Sequence, residues 1–447
     1  MYSAPLDESV LGKRPQRKPA LPEADASGVV LVAAIGYSAA MKTNDSAGAV
    51  RLTLQPGREK PVLHGHPWIF EGALKTRPAC GPQGAAAEVH DAGGNWLGRG
   101  LLCPAGALAV RLLSRRMDEP LDASLFANRT REAWHRRERL WQREPATRER
   151  SNAWRLIHAE ADGLPGIVAD LYHDVLSLRV GCSAMQPWLP AVIETLRPLC
   201  GAREVVVTAD GDAAGREPLD AAALSALGTA PAATAEIIEN NLRFHVDCGT
   251  GQKTGFFVDQ RDNRARVAAY ARGADMLSVY CYTGAFEVVA AAAGARSILA
   301  IDRSQPALER AQAHHALNGL QTPVQFECAD APVALRRLRD RAQSFDLIVL
   351  DPPRLVGSEA QREKGMRAYK DINLLGIKLL RPGGILATFS CSGLVSAADL
   401  QRALAFAAAD AGRNVRILES LSQPADHPVP LAFPEAGYLK GFIAEVE

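Results

Sequence analysis

Five short apolar runs in the C-terminal half constrain this chain more than any other feature. They are Met276–Tyr280, Ser297–Ile301, Val324–Cys328, Leu347–Leu350 and Ile385–Phe389, with helical patterns between them. Continuous apolar runs of this length suit strands buried on both faces, hence a parallel sheet with helices on either side. The expected fold class over residues 236–447 is α/β with a Rossmann-like sheet.

In such a sheet ligands bind beyond the carboxyl ends of the strands. The residues after each run are therefore the candidate site. After the first comes Tyr280-Cys-Tyr-Thr-Gly-Ala-Phe286, with one glycine rather than GxGxxG. A glycine there lets backbone approach a ligand, and the next helix offers free N–H groups. The second run leads to Asp302, placed for the two hydroxyls of a ribose, and the third to Asp330, placed to accept from an adenine amino group. Each Asp also suits a helix N-cap, with Ser304 an alternative cap beside Asp302. The fourth run ends in Asp351-Pro-Pro-Arg354. Its prolines remove two N–H donors and stiffen the backbone, leaving carbonyls and a carboxylate to grip a planar base. The fifth ends in Phe389-Ser-Cys-Ser392, which puts the Cys391 thiol on the same edge. The other seven cysteines read as inert thiols. A thiol, a carboxylate and a methyl donor in one pocket suit one reaction. A thiolate adds to C6 of a pyrimidine, C5 of the resulting enamine takes a methyl group, and loss of the C5 proton and then of the thiolate restores the ring.

Upstream, residues 49–120 read as short strands, with a tight turn at Asp91–Gly94 and no helical period before Leu121, which suggests a small β-rich barrel. Leu121–Gln142 reads as an amphipathic helix whose polar face carries Arg129, Arg131, Arg136, Arg137, Arg139 and Arg143. That face is either solvated and relieved by Glu132, Glu138 and Glu144, or a contact for nucleic-acid phosphates. Residues 155–235 alternate strand and helix: three strands with turns at Asp162–Gly166 and His173–Asp174, a helix–strand piece from Trp188 to Thr208, and a connector at Ala221–Thr234. Residues 1–48, rich in Pro, Ala and polar groups, read as a disordered extension, with Met41 as an alternative start.

Composition bears on partners more than on fold. With 51 Lys/Arg against 50 Asp/Glu, a protein blanketed in positive charge is excluded. The charge is nevertheless divided. Residues 49–150 carry 17 Lys/Arg against 11 Asp/Glu, and residues 151–447 carry 29 against 34. A basic N-terminal module on a mildly acidic remainder suits RNA held at one side and a base delivered to a pocket. No cysteine pair has CxxC spacing, so no metal site is expected and free thiols in a reducing compartment are. The apolar run Gly28–Ala40 is too short to span a bilayer, and the expected location is cytoplasmic without a membrane partner.

Gly251-Gln-Lys-Thr-Gly-Phe-Phe-Val-Asp-Gln-Arg261, followed by Tyr280–Phe286, Asp351–Arg354 and Ser390–Ser392, resembles the ribosomal RNA large subunit methyltransferase I family, S-adenosylmethionine-dependent 23S rRNA 5-methylcytosine methyltransferases. The likeness extends to Ala368–Asn373, Ala425–Pro428 and Tyr438–Gly441. Upstream, His66–Phe70 and Gly94–Gly98 resemble the family's PUA domain, and Asp162–Gly166 its central domain. The resemblance implies a PUA-like RNA-binding domain at 49–120, a linking helix and central α+β domain at 121–235, and a Rossmann-like class I methyltransferase domain at 236–447. It implies S-adenosylmethionine as cofactor and 23S rRNA or a large-subunit assembly intermediate as partner, with a homodimer as an assembly to test. Lys253, Thr254, Gly255 and Phe257 would wall the cofactor site; Tyr282, Thr283 and Gly284 would line its methionine end; Asp302 would hold the ribose and Asp330 the adenine side. Asp351, Pro352 and Pro353, with Arg354 where a Lys is common, would hold the cytosine, and Cys391 would be the nucleophile. Ser278 stands where Asp or Asn is usual, and Ala285 where a second Gly is usual.

Two other readings compete. A uracil-C5 RNA methyltransferase also uses a thiol and carries a DPPR motif, but this chain lacks a cysteine cluster for an iron–sulfur centre. An inactive RNA-binding or ribosome-assembly factor is the third, kept open by Ser278 and Ala285.

Overall fold

The computed structural model describes residues 49–76, 84–103, 106–211, 218–230, 233–249 and 251–447. The extension expected over residues 1–48 lies outside the described residues, as does Cys80.

The first sheet holds β1 (Val50–Thr53), β2 (Trp68–Phe70), β3 (Ala86–His90), β4 (Trp96–Leu102) and β5 (Leu108–Ser114), in the order β1-β3-β4-β5-β2. A bridge between Leu54 and Leu74 draws its two ends together. Asp91 shapes the expected turn between β3 and β4 by accepting from the backbone N–H of Gly93 and Asn95 at 2.9 and 2.8 Å. A helical turn at Lys60–Leu63, opened by Pro61, departs from the all-strand reading of this stretch.

The expected helix is α1 (Ala123–Arg143). Asp122 caps it by accepting from the Leu125 N–H, and Leu125, Phe126 and Ala133 are buried. Its arginines do not form one solvated face. Arg137 is 1% exposed, pairs with Asp162 at 2.7 Å and donates to the carbonyls of Arg155 and Asp426. Arg136 shares Asp162, and Arg129 donates to the Leu113 carbonyl. Arg131, Arg139 and Arg143 remain exposed. Periodicity could not separate the two groups, because the partners come from distant sequence.

The second sheet runs β6 (Ala153–His158), β7 (Ile167–Tyr172) and β8 (Val175–Val180) as an antiparallel meander. After α2 (Leu189–Cys200), β9 (Glu204–Ala209) joins parallel to β8. The stretch read as a connector instead holds a short helix, Ala221–Ala226, capped by Asp220, and the start of β10 (Thr234–Glu239). β10 pairs with β11 (Leu242–Asp247) through Asn240 and Asn241, whose φ angles of 51° and 66° suit a two-residue hairpin turn. The strand–helix alternation therefore begins after a hairpin that the sequence reading did not separate.

The third sheet carries the five expected runs as β12 (Asp275–Val279), β13 (Ser297–Asp302), β14 (Val324–Cys328), β15 (Phe345–Leu350) and β16 (Leu380–Ser390), parallel in the order β14-β13-β12-β15-β16. β17 (Val415–Ser422) and β18 (Lys440–Val446) extend it in the order β16-β18-β17, both pairings antiparallel. The sheet is thus mixed rather than wholly parallel. β17 shows no apolar run because it is an edge strand that buries only Leu421.

Both faces of the central strands are covered, which is why β12, β15 and the second half of β16 carry so few polar residues. Met276, Leu347 and Val349 pack under α3 (Arg261–Ala268), α4 (Ala285–Ala292) and α5 (Gln305–Leu317), through Val267, Phe286, Ala290 and Leu308. Leu277, Val279, Ile348 and Leu350 pack under α6 (Ala331–Asp340), α7 (Arg362–Leu379) and α8 (Ala397–Ala411), through Leu335, Leu338, Ile372, Leu375 and Leu400. From β12 the chain builds outward to β13 and β14, then returns to place β15 on the other side. That reversal opens a crevice at the carboxyl ends of β12, β13 and β15.

Candidate active site

The loop after β12 takes an unusual path. Tyr280 and Tyr282 have φ of 66° and 49°, and Gly284 has 79°. Bulky side chains rarely adopt this left-handed region, and such strain persists where neighbours enforce it. Here the N–H groups of Tyr280 and Cys281 donate to the Ile301 carbonyl at 2.9 and 3.1 Å. Asp302 accepts from the N–H of Tyr282 and of Ser304, each at 2.9 Å. The β13 carboxylate therefore ties the β12 loop in place. Gly284 admits no side chain, since a Cβ would lie 2.6 Å from the Cβ of Ala311. It leaves the start of α4 with no side-chain cap. Ser304 caps α5, while Asp330 is exposed and caps α6 through the Val333 N–H.

On the other side of the crevice, β15 and β16 are adjacent and deliver Asp351 and Cys391. The Cys391 sulfur lies 4.0 Å from the Pro352 carbonyl oxygen. Burial pushes the Asp351 carboxyl up to about 6, and the nearby Asp259 charge adds to this, while Gln260 donates to it at 3.0 Å. Burial pushes the Cys391 thiol up to about 11; the Lys253 ammonium works against that, and Asp351 and Asp259 add to it. Lys253 is paired with Asp259 and lies over the rings of Phe257 and Tyr438, 4.3 and 5.3 Å from their centres. Burial opposes the charge of Asp259, yet Lys253 and a hydrogen bond of 2.6 Å from the Tyr438 hydroxyl hold it well below the usual carboxylate range. The β16 end is braced by Ser390 and Ser392, which bond the Tyr369 hydroxyl at 2.8 and 3.0 Å. Lys440, its ammonium lowered to about 8 by burial, donates to the Ser392 carbonyl at 2.6 Å.

The residues singled out in sequence divide by location. Lys253, Phe257, Tyr282, Asp302, Asp351 and Cys391 meet around the crevice, with the Phe257 and Tyr282 rings edge to face at 5.4 Å. Pro352 is buried, whereas Pro353 and Arg354 are exposed. Thr254 is buried against the second sheet, its hydroxyl bonded to Asp170 and Tyr172 and its carbonyl to Ser177. At Gly255, φ is 133° and a Cβ would lie 2.6 Å from Val246. These contacts anchor the loop that carries Lys253 and Phe257. Thr283 is buried, and its carbonyl accepts from His314 at 2.8 Å. Sequence reasoning gave no role to Asp259, Gln260, Tyr438 and Lys440. All four lie inside motifs already quoted, and that was the available signal.

Residues 191–440 match the S-adenosylmethionine-dependent methyltransferase family, and residues 52–115 match a PUA-like domain. The chain is 40% identical over 403 residues to ribosomal RNA large subunit methyltransferase I of Shewanella frigidimarina, covering 89% of this chain and all of that one. It is 37% identical over 399 residues to the protein of the same name from Alteromonas mediterranea, covering 89% and 99%. Among solved structures, a methyltransferase complexed with SAH superposes with a TM-score of 0.75 at 19% identity, over 89% of this chain and all of that one. A SAM-dependent methyltransferase structure from Streptococcus mutans gives the same values, and both likenesses concern the fold. The S-adenosylmethionine-dependent methyltransferase fold and the sequence identity along nearly all of each relative lead to one conclusion: the chain belongs to the ribosomal RNA large subunit methyltransferase I family.

Proposed function

We propose that this chain forms 5-methylcytosine in 23S ribosomal RNA, with Cys391 adding to C6 of the base. The reading is supported above all by a thiol and a carboxyl of raised proton affinity at adjacent strand ends, Cys391 and Asp351. Attack at C6 drives electron density onto N3. In cytosine N3 is a bare acceptor, so a proton from Asp351 neutralises it. Uracil already carries a hydrogen on N3, and the same proton finds no acceptor there. This favours cytosine over uracil.

The crevice residues fit S-adenosylmethionine. Asp302 suits a ribose diol, the uncapped start of α4 suits a carboxylate, and a buried carboxyl on α4, Glu287, has both oxygens unpartnered as a cationic ligand requires. Bound there, the cofactor supplies an electrophilic methyl group. In this assignment Tyr282 and Gly284 line the methionine end, Phe257 walls the site and Asp330 lies on the adenine side. Lys253 stabilises the thiolate. The sulfur of Cys391 bonds to C6 while Asp351 passes its proton to N3. C5 then takes the methyl group, a base removes the C5 proton, the S–C6 bond breaks to return the thiolate, and N3 gives its proton back to Asp351. Residues 49–120 and the exposed Arg131, Arg139 and Arg143 hold the RNA, residues 121–235 form the central domain and residues 236–447 carry the chemistry, acting in the cytoplasm.

The pH profile tests the assignment of Asp351. The reactive form needs an ionised thiol of pKa about 11 and a protonated carboxyl of pKa about 6. Between those values the thiolate fraction rises tenfold per pH unit while the carboxyl fraction falls tenfold. Single-turnover methylation of 23S rRNA is therefore expected to be flat from pH 7 to 9 and to fall below about 6. Asp351→Asn removes the titrating acid. The rate at pH 7 should drop by roughly 10²–10⁴-fold and climb about tenfold per pH unit. A wild-type rate that climbs in the same way would remove Asp351 as proton donor.

A further inference from the structure

Glu287 is the third residue of α4, and among the described residues none pairs with its carboxyl. Its neighbours Phe286, Val288, Val289, Ala290 and Ala291 are apolar and buried. The side chain is 1% exposed, and neither carboxyl oxygen has a hydrogen-bond partner among the described residues. A buried polar group left in this state is costly, and a buried charge more so. Burial pushes the carboxyl up to about 7; the neighbouring Ser278 hydroxyl eases this, while Asp302 and Asp351 add to it. The Cys281 thiol also faces it.

Those neighbours fix its place. Ser278 lies on β12, Cys281 in the strained loop, Asp302 at the end of β13 and Asp351 just beyond the end of β15. Glu287 therefore sits where the strand order reverses, one helical turn from the Tyr282–Gly284 segment. With Asp259, Asp302 and Asp351 nearby and Lys253 already paired with Asp259, the local excess of carboxylates favours a cation.

We propose that Glu287 binds the α-ammonium at the methionine end of the cofactor, supplying from α4 the negative charge that Ser278 on β12 does not carry. This rests on reading the crevice as the cofactor site. The ammonium provides the missing donors, and its positive charge favours the ionised carboxyl. The adenosine and thioether parts of the cofactor lie beyond its reach in this assignment.

Two ligands separate this role from a structural one. S-adenosylhomocysteine carries the ammonium, whereas methylthioadenosine keeps the nucleoside and sulfur without the amino-acid end. Calorimetric titration of Glu287→Gln should show S-adenosylhomocysteine weakened by about ten- to a hundredfold, with methylthioadenosine within about twofold of wild type. Asp302→Ala, which removes the ribose contact, should weaken both ligands together. Unchanged S-adenosylhomocysteine affinity in Glu287→Gln, or equal weakening or loss of both ligands, would overturn the proposal. Wild-type protein that binds neither ligand would overturn the assignment of the crevice itself.

Discussion

Replacing Cys391 with alanine is expected to lower methyl transfer to 23S rRNA by on the order of 10⁶-fold, the scale of loss when a covalent nucleophile is removed. Cofactor affinity should stay within about twofold, because the crevice around Tyr282 and Asp302 does not depend on the sulfur. The substitution deletes one atom from a half-buried side chain. It leaves intact the bonds that brace the β16 end, from Ser390 and Ser392 to Tyr369 and from Lys440 to the Ser392 carbonyl. The thiol is otherwise poorly suited to its surroundings. Burial and two carboxylates disfavour its ionised form, and the Lys253 and Lys440 ammonium groups oppose them. The feature of this site that suits a nucleophile is the Lys253 ammonium, which favours the thiolate. A Cys391→Ala protein that retains more than a few per cent of wild-type activity would contradict this role.

The second large effect concerns stability. Asp426 is fully buried and accepts two bonds from Arg261 at 3.1 and 3.2 Å, and one from the Arg155 N–H at 3.0 Å. Its own carbonyl takes the Arg137 guanidinium at 2.8 Å. Arg261 in turn lies over the Trp154 ring, 4.2 Å from its centre. One residue thereby joins α1, β6, the start of α3 and the segment before β18. Asp426→Ala removes the buried partner of the Arg261 guanidinium and leaves it only the half-exposed Asp262 at 3.1 Å, a change that costs about 3–5 kcal/mol. Urea denaturation should report that loss, and a decrease under 1 kcal/mol would contradict it. Arg261 follows Gln260, which donates to Asp351, so the surviving folded protein should also methylate more slowly.

How far the sequence foretold this arrangement depended on the range of the interactions. The central strands β12, β15 and β16 were legible because both faces of each are covered, so burial left its mark on most of their residues; β14, at the sheet edge with no residue fully buried, carries that mark least. The turn at Asp91–Gly94 and the three strands between Ala153 and Val180 were legible because turn chemistry is local. β17 was not, because an edge strand has little need of apolar side chains. The β10–β11 hairpin was missed because Asn-Asn is a weaker turn signal than Asn-Gly, although both residues adopt the left-handed conformation. Arg137 looked solvated because its partner Asp162 belongs to a different element. In the site, the strand-end residues Asp302, Asp351 and Cys391 could be located from register alone. Lys253 between Asp259 and two aromatic rings could not, since that placement comes from loops that meet only in the folded chain. Glu287 was hidden for the opposite reason: an acidic residue in an apolar helix looks unremarkable until its two oxygens are found without partners.

The covalent bond between Cys391 and the base can be observed directly. With fluorine in place of hydrogen at C5, the proton whose loss releases the enzyme is absent, so the adduct should accumulate after methyl transfer. 23S rRNA transcribed with 5-fluorocytidine, incubated with the protein and S-adenosylmethionine and then digested, should yield a peptide containing Cys391 that carries a methylated fluorocytidine, as read by mass spectrometry. Transfer of the methyl group without such an adduct, or an adduct on any other cysteine, would contradict the account.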